Sequence, residues 1–197
     1  MKSAVTPLLH GDAKLDQNTF LLPPVSVDDL HNTRSSRNFW VVTAGDPPWS
    51  ATGQSAAQRT HFYNVERADS VTVTAGLLWH TVTREDPRRG LRADITSFVP
   101  VGSDLVELMG VTLTNTGDSP LEVTPIAAIP IFGRSADNLR DHRHVTPLLH
   151  RIATGRYGVV VTPTLSFDER GHTENRVSYF VLAADAAGAP PRWVSVP

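Results

Sequence analysis

The residues best suited to chemistry are concentrated in one segment, GRSADNLRDHRHVTPLLHRI, at positions 133–152. This segment follows directly on an apolar run and contains four arginines, two aspartates and three histidines. Such a segment could hold a metal ion, supply an acid–base pair, bind anions or sugar hydroxyls, or form a solvated surface helix.

The spacing of the histidines argues against a metal site. His142 and His144 are two positions apart, so they share a face on a strand but point about 200° apart on a helix. Arg140 and Arg143 would also repel a divalent cation at this place. We therefore predict no metal ion and no cofactor for the segment.

The two aspartates are spaced like an acid–base pair. Asp137 and Asp141, at i and i+4, would lie on one face of a helix that begins after Ser135. The interleaved arginines would lower both pKa values, whereas a general acid needs a raised pKa. We therefore predict no catalytic residue here.

Binding of sugar hydroxyls or anions is the functional interpretation that the segment favours. Guanidinium groups are planar donors, and neighbouring Asp and Asn side chains supply acceptors, a combination suited to polyols and phosphate. A salt-bridged surface or an interdomain connection is the alternative. The candidate carbohydrate-binding or interdomain residues are Arg134, Asp137, Asn138, Arg140, Asp141 and His144.

Large aromatic side chains could add a stacking surface for a sugar. Most large aromatics in a β-sandwich belong to the core or to an interface, and we assign Trp40, Trp79 and Trp193 to that group. Trp49 directly follows a Gly-Asp-Pro-Pro turn, so we predict Trp49 as a further binding candidate.

The elements that must position these residues are predicted to be strands. Val71, Val73, Ala75 and Leu77 alternate with polar or small residues, the period of two that one buried face of a strand requires. The turn at residues 115–118, Asn-Thr-Gly-Asp, predicts a hairpin, because these residues tolerate the backbone angles of tight turns.

The pattern of the whole chain predicts an all-β fold. About eight to ten strands with almost no helical periodicity indicate a large antiparallel β-sandwich, with one short helical excursion near residues 134–150. We predict an irregular N-terminal segment at 1–38, because a Pro pair interrupts it. The sandwich domain is predicted at 39–184, and a truncated linker or strand at 185–197.

Composition excludes several classes of partner. The chain has 197 residues, a formal net charge of −2 and no cysteine, so neither a basic field for nucleic acid nor a disulfide is expected. No stretch approaches the roughly 20 apolar residues of a membrane span, and the N-terminus does not resemble a signal peptide. We expect a cytoplasmic protein.

Three stretches, read in order from about Asn38 to Phe180, resemble one enzyme family. RNFWVVTAGDPPWSATG is similar to an aromatic-rich strand followed by a G-x-x-W-S hairpin. ITSFVPVGSDLVELMGVTLTNTGDSPLEV is similar to an f-V-P-x-x-D-x-v-E stretch, and FGRSADNLRDHRH lies where a short polar excursion follows a strand. Together they resemble the cellobiose and chitobiose phosphorylases of glycoside hydrolase family 94.

The resemblance implies a supersandwich domain similar to the galactose mutarotase fold. In the family, an (α/α)6 barrel carries the catalytic acid, and inorganic phosphate is the co-substrate of an inverting reaction on β-linked gluco-oligosaccharides. This chain would then be a non-catalytic carbohydrate-binding or scaffold domain, with no activity expected alone. Its implied partners are an oligosaccharide, the catalytic barrel and, as a possibility, a second copy.

Two other classes of function stay open. A stand-alone aldose epimerase-like enzyme would need a histidine and a carboxylate facing each other, such as His80 and Glu107. A plain interaction module is the third class. A scaffold without its partner should expose an apolar patch on the order of several hundred Å².

Overall fold

The structure is a computed structural model that describes residues 1–6, 8–16, 19–22, 36–61, 64, 69–133, 146–168, 171–192 and 194. These residues confirm the predicted all-β class: antiparallel strands dominate, and the two described helices have five and four residues. Neither helix is long and apolar enough to cross a membrane.

The chain divides into two compact units. Unit 1 comprises Met1–Gly11 and Ser26–Ile129, and unit 2 comprises Asp12–Val25 and Pro130–Pro197. The predicted boundaries at 38 and 184 stay predictions.

The described elements in chain order are β1 (Lys2–Ser3), β2 (Ala13–Lys14), β3 (Phe20–Leu22), β4 (Asn38–Thr43), β5 (Trp49–Ser50), α1 (Ala56–Thr60), β6 (Ser70–Gly76), β7 (Trp79–Asp86), β8 (Leu91–Phe98), β9 (Leu108–Asn115), β10 (Val123–Ala128), α2 (Thr146–Leu149), β11 (His150–Thr154), β12 (Gly158–Pro163), β13 (Leu165–Asp168), β14 (Gly171–Glu174) and β15 (Tyr179–Leu182).

Unit 1 contains two antiparallel sheets. One is the meander β6–β7–β8–β9, and the other has the strand order β10–β4–β5. The predicted turn after β9 is present, since Oδ1 of Asn115 accepts a hydrogen bond from the N–H of Gly117 at 3.0 Å. The predicted hairpin is wrong, however, because β10 pairs with β4 and not with β9. The turn carries the chain from one sheet to the other.

The core of unit 1 lies between these two sheets. Val82, Leu91 and Ile95 from the meander pack with Val41 and Trp49 from the other sheet, and all five are buried. Full burial of such a side chain contributes roughly 1.5–3 kcal/mol. Two antiparallel sheets that share one core are consistent with the predicted β-sandwich.

Strand β6 departs from the predicted burial. Val71 and Val73 lie directly opposite Arg84 and Val82, so they share the face of the sheet that carries the core. They are nevertheless 44% and 46% exposed, and every residue of β6 is exposed. The alternation therefore assigns the face correctly, but its predicted burial is wrong, since the described core of unit 1 includes no residue of β6.

Unit 2 is also built from antiparallel strands. It contains the sheet β11–β12–β15, the pair β13–β14 and the pair β2–β3. Its buried side chains include Phe20, Leu22 and Val161. Helix α2 falls within the predicted helical excursion, whereas residues 134–145 lie outside the described residues.

Candidate functional site

Most of the predicted site lies outside the described residues. This holds for Arg134, Asp137, Asn138, Arg140, Asp141 and His144, whose binding role stays a prediction. Trp49 is described, and it is a core residue of unit 1 with 1% of its surface exposed. A ring without an exposed face offers no surface to a sugar, so its position does not support the predicted stacking.

Trp49 instead belongs to a buried polar network centred on Asp69. Oδ2 of Asp69 accepts hydrogen bonds from Nε1 of Trp49 at 3.1 Å, Nε2 of Gln58 at 2.6 Å and Nη1 of Arg84 at 3.4 Å. The Arg84 guanidinium also donates to two backbone carbonyls that follow β5. Burial lowers the pKa of Arg84, and the Asp69 carboxylate opposes this shift. The network is structural, since it ties β5, α1 and β7 together.

A second polar cluster lies on the core-facing side of the meander, where β7 begins. Arg37 and Glu107 form a two-pronged ion pair, with Nε–Oε1 at 2.5 Å and Nη2–Oε2 at 2.8 Å. Both side chains are buried. His80 lies directly opposite Ser97 on the neighbouring strand. Nε2 of His80 and Oγ of Ser97 are buried, and neither has a hydrogen-bond partner among the described residues.

The charges around His80 define what this cluster can do. Burial lowers the pKa of His80, the negative charge of Glu107 opposes this shift, and the positive charge of Arg37 adds to it. This setting favours the neutral imidazole. The structure brings His80 and Glu107 into electrostatic range, which the sequence did not indicate. Both oxygens of Glu107 are held by Arg37, however, so this carboxylate is not a free base.

The solvent-facing side of the same sheet end carries an apolar row. Trp79 lies directly opposite Phe98, which lies directly opposite Leu108 on the next strand. These side chains are 42%, 38% and 42% exposed. A Cβ atom at Gly76 would come within 2.4 Å of the Trp79 indole, so the glycine provides the room that this ring occupies.

Polar side chains continue the same face beyond the apolar row. The hydroxyl oxygens of Thr81 and Thr96 are 2.8 Å apart, and Thr83 donates to Asp94 at 2.6 Å. Arg92 donates twice to Asp94, at 3.0 and 2.8 Å, and this bonding lowers the pKa of the Asp94 carboxyl. The apolar row, the hydroxyl pair and the ion pair thus follow one another in steps of about 7 Å, two residues each.

The alternation of side chains along a strand is the sequence signal for this row. Trp79 was assigned to the core or to an interface, like most aromatics of a sandwich. Trp79 lies three residues before Val82, which is a core residue. Because successive side chains point to opposite faces of a strand, this odd spacing places Trp79 on the solvent-facing side of β7. Phe98 follows in the same way from Ile95 on β8.

Unit 2 offers a further concave surface. A cavity of about 400 Å³ is lined by Thr154, Gly155, Arg156, Pro190, Pro191, Arg192 and Val194. Its two arginines give it a positive character suited to anions. Within the described ranges of the chain, no three His, Asp or Glu side chains are placed to hold a metal ion.

Comparisons with known proteins do not assign this arrangement to a family. Neither the models of known protein families nor the curated proteins returned a match to the chain. The function is therefore argued from the site itself.

Proposed function

We propose that the chain is a non-catalytic, carbohydrate-binding scaffold domain of the kind that the resemblance to oligosaccharide phosphorylases implies. The observation that supports this most is the solvent-facing side of the meander, where Trp79, Phe98 and Leu108 adjoin hydroxyl groups and an ion pair. Pyranose rings have the same mixed character, because their C–H faces pack on aromatic rings while their hydroxyls bond to polar side chains. The proposed ligand is a β-linked gluco-oligosaccharide.

In this proposal, the reaction takes place outside the described sheets. The catalytic acid and the inorganic phosphate belong to an (α/α)6 barrel, and this chain holds the oligosaccharide and supports the barrel from a cytoplasmic location. The ion pair between Arg37 and Glu107 supports a binding role over a catalytic one, since it engages the carboxylate beside His80.

The proposal is tested by the replacement Trp79→Ala. Isothermal titration calorimetry with a β-1,4-linked glucose tetramer should show binding by the wild-type chain. We expect affinity to fall about tenfold, or ~1.4 kcal/mol, because a stacking surface is removed. The control is Leu105→Ala, which truncates an exposed side chain outside the row and should leave affinity unchanged.

Two results would count against the proposal in different ways. If the wild-type chain binds no oligosaccharide, the carbohydrate-binding function is wrong. If it binds and Trp79→Ala binds equally well, the function stands and the site lies elsewhere, the segment around Arg140 being the next candidate.

An aldose epimerase-like activity is the second candidate, favoured by the proximity of His80 and Glu107. Magnetisation-exchange NMR on glucose measures how fast its two anomers interconvert. We expect no acceleration over buffer, because Glu107 is ion-paired. An acceleration that disappears in His80→Ala would establish the enzyme and exclude the purely scaffolding role.

A further inference from the structure

Within the part of the chain that the structure describes, the outer edge of β6 is unpaired, and the strand itself carries no residue that protects it against pairing. β6 is the terminal strand of the meander, and no described strand pairs with its other edge. All seven of its residues, SVTVTAG, are exposed, and none is charged or a proline. Natural sheets usually protect an edge strand with lysine, proline or a bulge, because its free N–H and C=O groups can pair with another chain. An unprotected edge therefore indicates a pairing surface.

The core-facing side of this edge is apolar as well as open. Val73 is the outermost member of a row that continues inward through Val82 and Ile95, both buried. Leu77, directly after β6, is also exposed. The opposite edge strand differs, since Met109, Val111 and Leu113 of β9 pack against the core. On the core-facing side of the meander, the uncovered apolar surface among the described residues thus lies at β6.

The sequence of β6 is complementary to itself when it runs antiparallel to a copy. We propose that β6 pairs with β6 of a second copy of this chain, with the two-fold axis at Val73. Val73 then lies opposite the partner's Val73, and Val71 opposite the partner's Ala75, all on the core-facing side. Thr72 lies opposite the partner's Thr74 on the solvent-facing side. This pairing is isologous, as a closed two-fold dimer requires.

Charge and size are compatible with this dimer. Among the described residues the pairing brings no like charges together, because β6 has none and the carboxylate of Asp69 just before it is 2% exposed and bonded inward. Seven residues span roughly 24 Å, and one strand pair buries less than the roughly 800 Å² per partner of a standard interface. We therefore expect the two copies to associate weakly, so that the dimer is populated only at higher protein concentration.

Sedimentation velocity over a concentration series tests the proposal. The wild-type chain should shift from monomer towards dimer as its concentration rises. Val73→Lys places two ammonium groups beside the axis and should abolish the shift, while circular dichroism shows an unchanged β fold because the side chain is half-exposed. The control is Val101→Lys, at an exposed loop position, which should dimerise like the wild type. A wild-type chain that stays monomeric, or a Val73→Lys chain that still dimerises, overturns the proposal.

Cysteine cross-linking tests the register, and the chain has no native cysteine to interfere. At the axis, the two Cβ atoms of residue 73 would be about 4.5–5.5 Å apart, so Val73→Cys should oxidise to a disulfide-linked dimer. In Thr72→Cys the two equivalent residues are diagonal neighbours about 7–8 Å apart, which is too far for a disulfide. Equal cross-linking of both variants would overturn the axis at Val73. The measurement is independent of sugar binding, so either proposal can fail alone.

Discussion

His80 is a titratable group placed at the margin between core and solvent. Its Nε2 atom is buried without a described partner, and its pKa is lowered first by burial, with Arg37 adding to the shift and Glu107 opposing it. A histidine in this setting favours its neutral form in the folded state. Its protonation is therefore linked to unfolding.

At the residue scale, we predict that His80 makes the free energy of unfolding depend on pH. Because the folded-state pKa of His80 lies below the unfolded value near 6.5, the unfolded state binds more protons as pH falls through and below that value. The stabilising contribution is present above pH ~6.5 and is lost on acidification. We expect His80→Asn to flatten the decline in urea-unfolding free energy between about pH 7 and 5. A slope equal to that of the wild type would contradict this assignment.

At the scale of elements, Asp69 connects parts of unit 1 that local sequence does not connect. Its carboxylate accepts from Trp49 on β5, Gln58 on α1 and Arg84 on β7. Ser55 caps α1 and Gln58 closes the capping box, so this short helix presents the Gln58 amide in a fixed position. Arg84 depends on Asp69 for its compensating charge, because its other described partners are backbone carbonyls.

Removal of this charge gives a second prediction. Asp69→Asn leaves the Arg84 guanidinium buried without a counter-ion, and we expect a loss of about 3–5 kcal/mol in the free energy of unfolding. The matched control is Asp46→Asn, whose exposed carboxylate is 3.8 Å from Arg89 and should contribute at most about 1 kcal/mol. Urea unfolding followed by circular dichroism distinguishes the two. Equal, small effects would show that Arg84 is compensated in another way.

The elements also show which features of the fold follow from the local sequence and which do not. Alternation predicted the strands and the face on which Val73 lies, because a period of two is a local property of the backbone. It did not predict that this face is uncovered, since burial depends on the reach of another sheet. The turn at Asn115 was predicted from local chemistry, but the change of sheet after it depends on pairing with a distant strand. The approach of His80 to Glu107 was missed for the same reason.

At the scale of the whole molecule, each compact unit is assembled from separated parts of the chain. Unit 1 takes Met1–Gly11 in addition to its long central portion. From this first segment Leu9 is fully buried in the core, and its carbonyl accepts hydrogen bonds from the backbone and side chain of Arg37. The N-terminal segment therefore contributes Leu9 to the core of unit 1.

This arrangement gives the last prediction, for a residue far in sequence from the sheets it stabilises. Leu9→Ala removes a fully buried side chain between two sheets, and we expect a loss of about 2–5 kcal/mol in unfolding free energy. Leu105→Ala, the same change at an exposed position of unit 1, should alter stability by no more than about 0.5 kcal/mol. If the N-terminal segment were only an appendage, the two variants would unfold at the same urea concentration. A large difference between them requires that residues 1–11 fold together with the meander, because a cavity costs stability only where packing is already dense.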